Sequence, residues 1–237
     1  MDVFEYYGLK GTFPTLESIK ECLSIEGYCV IHGFDRSRLL EFANEFGTPT
    51  VDPRHPYPVR ALSPQHVNAA NPNTLSSRYG LLPFPFHTDV AHWHTPARIL
   101  FLYCVKPGSG HRPTTLIDPL QWKLSDDDLH LLCESIWRSG CVRTFLCAVM
   151  EPENNSFSIR YDPGCMIPHS LSANDASTLI QRLITQSSLI QIEWSKQTLL
   201  VIDNTRILHA RGAALQPDTD RVIERILIGG SYGNVGL

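Results

Sequence analysis

Apolar positions recur first at three and four, then at two, then lose their period, and these changes divide the chain into elements. Thr15-Leu-Glu-Ser-Ile-Lys-Glu-Cys-Leu has the spacing of a short helix, with Thr15 as N-cap and acidic residues early. Tyr28-Cys-Val-Ile-His-Gly-Phe follows as a strand, rich in β-formers and bounded by Gly27 and Gly33. From Ser37 to Phe46 the helical period returns, placing Leu39, Leu40, Ala43 and Phe46 on one face, and Gly47 is available to end it.

Between Thr48 and Pro85 the pattern dissolves among prolines and asparagines, including Pro53, Pro56, Pro58, Asn71, Pro72 and Asn73. A long irregular stretch inside a domain usually covers a site, so residues 48–85 are predicted to be a substrate-covering loop region. Strand patterns then dominate in Arg98–Val105, Thr114–Ile117, Leu189–Trp194, Thr198–Ile202 and Arg221–Ile228. Two helices interrupt them. One opens at Ser125-Asp-Asp-Asp, where a serine cap and three acids suit the positive end of the helix dipole; the other is an insert at about 172–187, with Ala176, Leu179, Ile180, Leu183 and Ile184 in helical spacing. Strands broken by helical excursions, without regular βαβ alternation, argue against a doubly wound parallel sheet. The predicted fold is mainly β with flanking helices, a barrel or jelly-roll sandwich.

With 237 residues and no repeat or Gly/Ser-rich linker, the chain is expected to form one domain, 1–237. Its 20 basic and 24 acidic residues are interspersed, giving a net charge of −4. No basic stripe points to nucleic acid and no polybasic or long apolar segment to a membrane. The start lacks the pattern of a secretory signal. Seven cysteines, none spaced Cys-x-x-Cys, disfavour a disulfide framework and a zinc ribbon. They read as reduced core thiols of a cytoplasmic protein.

Chemistry concentrates at Phe84-Pro-Phe-His87-Thr-Asp89. On an extended segment, side chains two apart point the same way, so His87 and Asp89 can approach one metal from one side. Two ligands are too few, and Asn204-Thr-Arg-Ile-Leu-His209 supplies a third far downstream. Two imidazoles and a carboxylate on one face of an octahedral ion leave three positions open, which suits iron(II) binding a bidentate co-substrate together with O2. Arg221 and Arg225, four apart on an apolar strand, either form ordinary salt bridges with Glu224 or Asp220 or present planar forks to carboxylates, and a dicarboxylic co-substrate chelating the iron at one end would occupy one of them.

The ordered set His87-x-Asp89, Thr115-Leu116 after a Pro-Gly turn, Asp203-Asn-x-Arg-x-Leu-His209-x-Arg and Arg221-x-x-x-Arg225 resembles the taurine dioxygenase and clavaminate synthase-like family. The resemblance extends from about Gly27 to Gly230. It implies a double-stranded β-helix, or jelly roll, and an iron(II)- and 2-oxoglutarate-dependent dioxygenase that releases succinate and CO2. It places iron on His87, Asp89 and His209, the remote carboxylate of 2-oxoglutarate on Thr115 and Arg221, and an acidic group of the substrate on Arg225. Thr114 is the alternative to Thr115, because Arg112-Pro-Thr-Thr replaces the family's usual Gly-Gly-x-Thr turn. Retention of Asp89 favours hydroxylation over halogenation and leaves desaturation and cyclisation open. The implied substrate is a small metabolite bearing a carboxylate, such as an amino acid or organic acid.

Further candidates for substrate contact are Phe86, which otherwise packs in the core; Arg160, which otherwise pairs locally with Asp162; and His66 in the loop region. His92-Trp-His94 lacks the glutamate of a cupin-type metal site. The competing readings are a zinc-dependent hydrolase, since two histidines and an aspartate also hold zinc, and a non-catalytic binding protein on the same fold. An arginine clamp for a dicarboxylate speaks against the hydrolase. The sequence assigns no oligomeric state.

Overall fold

The computed structural model describes residues 5–7, 14–51, 55–72, 74–140, 143–153 and 156–230. Pro53, Asn73 and Cys141 therefore lie outside the described residues.

The chain begins with β1 (Glu5–Tyr7) and α1 (Leu16–Glu26), capped by the Thr15 hydroxyl accepting from the Ser18 amide. Gly27 ends α1 at φ 77° and turns the chain into β2 (Tyr28–His32). A Cβ there would meet the Ile207 side chain at 2.7 Å, so both the backbone angle and the space require glycine. A 3₁₀ turn leads into α2 (Leu39–Glu45). The segment expected to be irregular contains β3 (Arg60–Leu62) and α3 (Leu75–Tyr79), each too short to impose a visible period.

There follow β4 (Ile99–Lys106), β5 (Thr114–Ile117) and α4 (Asp126–Glu134), the last carrying a capping box between Ser125 and Asp128. Five short strands come next: β6 (Trp137–Ser139), β7 (Phe145–Cys147), β8 (Met150–Glu153), β9 (Ser156–Ile159) and β10 (Met166–Pro168). The helical insert is α5 (Leu171–Gln186), and β11 (Ile190–Ile192), β12 (Leu199–Asp203), β13 (Leu208–Arg211) and β14 (Val222–Ile228) complete the order.

A six-stranded sheet runs β1-β2-β12-β4-β14-β3, and a three-stranded sheet runs β11-β5-β13. Strict alternation sorts the large sheet's side chains. Leu100, Leu102 and Cys104 of β4 join Val30, Leu200, Ile202, Ile223 and Leu227 in an inner core shared with Leu116 and Ile192 of the small sheet. Phe101 and Tyr103 point the other way, into a layer with Ile19, Leu23, Leu39 and Phe42 of α1 and α2. On the outer side of the small sheet, Ile117 and Leu208 pack on Leu132, Ala176, Leu179 and Leu183 of α4 and α5.

The result is a mixed α/β arrangement, two facing sheets with helices on both outer sides. Among the described residues the two sheets are open rows of strands, not a closed barrel. Continuous apolar runs in β4 and β12 reflect burial on both faces. Cys22, Cys29, Cys104, Cys133, Cys147 and Cys165 are free thiols.

Candidate metal centre

His209 lies in β13, opposite Leu116 of β5, and faces inward with Arg211. His87 reaches it through an isolated antiparallel bridge: the His87 amide donates to the His209 carbonyl at 3.0 Å, and the His209 amide returns the bond at 3.1 Å. Mutual backbone bonding sets the two rings side by side, with centroids 4.4 Å apart. After His87 the chain turns, and Val90 adopts φ 53°. Asn204 fixes this turn. Its Oδ1 accepts from the Asp89 amide at 2.8 Å, while its Nδ2 donates to the Asp89 and Ala97 carbonyls at 3.1 and 2.8 Å.

Donor atoms of His87, Asp89 and His209 all lie within 4.8 Å of one another. The His87 ring bonds through Nδ1 to the Pro85 carbonyl at 2.9 Å, which directs Nε2 into the site, 3.9 Å from Asp89 Oδ1. Such a bond to a carbonyl is the usual way a protein orients a metal-binding imidazole. His209 keeps a buried Nδ1 without a hydrogen-bond partner. Burial, assisted by His87 and opposed by Asp89, lowers its pKa to about 3, so it stands as a neutral ligand. Burial alone would raise the Asp89 carboxyl; the Arg225 guanidinium first, then His209 and His87, overcome this and hold it at about 2. One carboxylate and two imidazoles therefore face one point, a donor set that fits a divalent ion.

The triad opens into a cavity of about 570 Å³. Arg221 lies on its wall, buried, with its guanidinium 5.7 Å from the Trp194 ring and its Nε without a partner. Burial lowers its pKa to about 10. Neither acid considered from sequence engages Arg221 or Arg225: Glu224 pairs with Arg36 on the opposite sheet face, and Asp220 pairs with Lys106 at 3.1 Å. Arg225 instead donates from Nη1 to both oxygens of Asp89, at 3.1 and 3.0 Å.

Thr114 lines the cavity and accepts from the Trp194 indole at 3.1 Å. Thr115, one residue on, shares the outward face of β5 with Ile117. Strand alternation thus turns Thr114 into the cavity and Thr115 away from it. Phe86 packs into the helical layer with α4 and α5, and the phenyl rings on the cavity wall are Phe84 and Phe145. Arg160 donates to the carbonyls of Trp93 and His94, each at 2.9 Å, while Asp162 accepts from the Gly164 amide. Arg160 thus braces the backbone of His92-Trp93-His94, whose two histidines border the cavity. His66 is exposed and caps a 3₁₀ turn; its neighbour Gln65 is on the wall.

Two buried arginines to which sequence motifs assigned no separate role bind the turn that leads to the metal motif. Arg211 donates to the Gly80 and Leu82 carbonyls, and Arg112 donates to that of Leu81 at 2.7 Å. Arg211 also stacks on Phe84, 3.5 Å from the ring centre, and Asp218 partners Arg112. The His209-x-Arg spacing was the available signal for Arg211, since it puts both side chains on one strand face.

Residues 12–113 match the family profile described as taurine catabolism dioxygenase TauD, TfdA family, which is under half of the chain. No curated protein matches. Among solved structures, the chain is similar to the non-haem iron oxygenase OrfP in complex with Fe and α-ketoglutaric acid, at 18% identity and TM-score 0.72, over 92% of this chain and 79% of that one. It is similar to an asparagine oxygenase in complex with Fe(II), 2S,3S-3-hydroxyasparagine and succinate, at 17% identity and TM-score 0.74, over 90% and 77%. PvcB, an Fe, α-ketoglutarate dependent oxygenase from an isonitrile synthetic pathway, aligns at 18% identity and TM-score 0.67, over 92% and 83%. The chain thus has the fold of the iron(II)- and 2-oxoglutarate-dependent oxygenases. Within it, His87, Asp89 and His209 offer donor atoms close enough together to hold one metal ion.

Proposed function

We propose that the protein is an iron(II)- and 2-oxoglutarate-dependent oxygenase of the taurine dioxygenase and clavaminate synthase-like family, with its two sheets forming a double-stranded β-helix. The observation that carries this reading is a buried Arg221, on the same cavity wall as the triad, that makes no salt bridge among the described residues; the one carboxylate acting on it, Asp218, is paired with Arg112. A buried guanidinium without an anion is costly unless a ligand supplies one. A hydrolytic zinc site has no use for it.

In this reading His87, Asp89 and His209 hold iron(II), and Arg221 with Thr114 takes the remote carboxylate of 2-oxoglutarate. The iron with 2-oxoglutarate and O2 supplies the oxidising chemistry, with succinate and CO2 as co-products. The chain's own residues arrange it. Asn204 holds the Asp89 backbone, Arg225 keeps the Asp89 side chain ionised, and Pro85 orients His87. The substrate is a small, carboxylate-bearing metabolite of amino-acid type, a class supported by the hydroxylated asparagine and arginine bound to related folds. Hydroxylation is the favoured outcome, because Asp89 fills the third protein position. The work is done by one domain in the cytoplasm; among the described residues no helix is long and apolar enough to cross a membrane.

The test is anaerobic addition of iron(II) and 2-oxoglutarate, watching for the weak visible charge-transfer band of the chelate. Admission of O2 with a panel of amino acids and small organic acids should then yield substrate-dependent succinate. Absence of both band and succinate would sink the reading.

A further inference from the structure

Asp162 is an acid on the cavity wall that the metal site leaves unused; it lies beside Gly164 and Cys165 and is only 8% exposed. Its place is set by the metal motif itself. The Thr88 amide donates to the Tyr161 carbonyl at 2.7 Å, and the Tyr161 amide donates back to the Thr88 hydroxyl at 3.2 Å. Tyr161 then turns into the helical layer, edge-on to Trp137, with its hydroxyl accepting from Gln181 at 2.7 Å. Asp162, next along, faces the cavity. The backbone carrying His87 and Asp89 thus adjoins the backbone carrying Asp162, which holds this carboxylate at a fixed reach from the triad.

Among the described residues, only neutral groups bond to it. Oδ1 accepts from the Gly164 amide at 2.6 Å and Oδ2 from the Cys165 thiol at 3.3 Å. An ionised carboxyl offers about four acceptor positions, so about half stay open. Asp89, the other carboxylate on the wall, has Arg225 as its counter-ion, whereas Asp162 forms no ion pair although six arginines share the cavity. Arg160, two residues away, is committed to the Trp93 and His94 carbonyls, and Arg211 to those of Gly80 and Leu82. A buried carboxylate with its charge unanswered is costly, and a ligand that brings a cation removes that cost.

We propose that Asp162 is a specificity-determining residue that receives a cationic nitrogen of the substrate. This rests on the oxygenase reading above and narrows its substrate from carboxylate-bearing metabolites in general to those that also carry an ammonium group. A charge-assisted bond from that nitrogen fills the open side of the carboxylate. It also fixes one end of the molecule relative to His87, Asp89 and His209, which decides the carbon presented to the metal.

Three probes of equal chain length test it: valerate, L-norvaline and 5-aminovalerate, which carry no nitrogen, an α-ammonium and a distal ammonium. Each is titrated into protein loaded with manganese(II) and 2-oxoglutarate, and binding near the triad is read from the relaxation that the metal imposes on the probe's protons. Wild type should bind at least one of the two ammonium probes roughly tenfold or more tighter than valerate, the scale of one charge-assisted hydrogen bond, and which one it prefers tells which nitrogen Asp162 holds. Asp162→Asn keeps an oxygen for the Gly164 amide but loses the charge; it should abolish the preference and leave valerate and 2-oxoglutarate binding as in wild type. Asp175→Asn, on the exposed side of α5, should change nothing. No preference in wild type, or a preference that survives in Asp162→Asn, overturns the proposal. So does an equal loss of all three probes in that variant, which would mean Asp162 only shapes the turn. Failure of wild type to bind 2-oxoglutarate would instead bring down the oxygenase reading, and this proposal with it.

Discussion

At the scale of single residues, the site separates groups that meet the metal from groups that hold those groups. Asp89→Ala removes the only carboxylate of the triad, and the anaerobic charge-transfer band and substrate-dependent succinate should both be lost; wild-type rates would refute the ligand assignment. Asn204→Ala strips three hydrogen bonds from a fully buried position and leaves the Asp89 amide unsatisfied. The expected cost is about 1–3 kcal/mol of stability, read by denaturant unfolding, together with weaker metal binding. Arg221→Gln should weaken 2-oxoglutarate by roughly 10- to 150-fold, the equivalent of a charge-assisted bond of about 1.5–3 kcal/mol, with iron affinity unchanged by titration. Because burial lowers Arg221 to about 10, its charged form is complete well below that pH and is lost above it. Affinity for 2-oxoglutarate in wild type should therefore fall as pH rises through about 10, and the Gln variant should lack that fall. His87, Asp89 and His209 were legible in sequence because ligand chemistry restricts residue type and spacing. Asn204 was legible only as part of a phrase, since its purpose lies in which backbone it meets across the fold.

Elements explain which parts of the pattern were readable. The N-caps Thr15 and Ser125 and the long runs of β4 and β12 are local or fully buried signals, and they appear where the sequence puts them. β6 to β10 are three or four residues each, too short for a period to separate them from loops. β13 carries the distal histidine yet shows no strand pattern in the sequence, because its inward positions are His209 and Arg211 rather than apolar residues. The choice between Thr114 and Thr115 needed the strand register, which a sequence alone does not contain. Arg211 makes an element-level prediction. It ties β13 to the carbonyls of residues 80 and 82 and stacks on Phe84, so it anchors the cavity wall that includes α3. Arg211→Gln should raise hydrogen exchange and proteolytic cutting across residues 75–84 while exchange in β4 and β12 stays as in wild type.

For the whole molecule, the layers place an anion-seeking cavity inside a protein of net negative charge. Attraction of an anionic substrate is then local to the mouth and screened by salt, so its KM should rise between low and physiological ionic strength while kcat holds. Metal and co-substrate bind only the folded chain. At a hundredfold excess over its dissociation constant a ligand adds about 2.7 kcal/mol, and manganese(II) with 2-oxoglutarate should raise Tm by thermal unfolding accordingly. The reciprocal backbone bonds between His87 and His209 carry one more consequence, for synthesis. A ribosome releases His87 and Asp89 long before His209, and the later strand is the template on which the earlier ligand acquires its place. An unfinished chain therefore lacks the assembled triad, and on the oxygenase reading no iron site can form until β13 has been added.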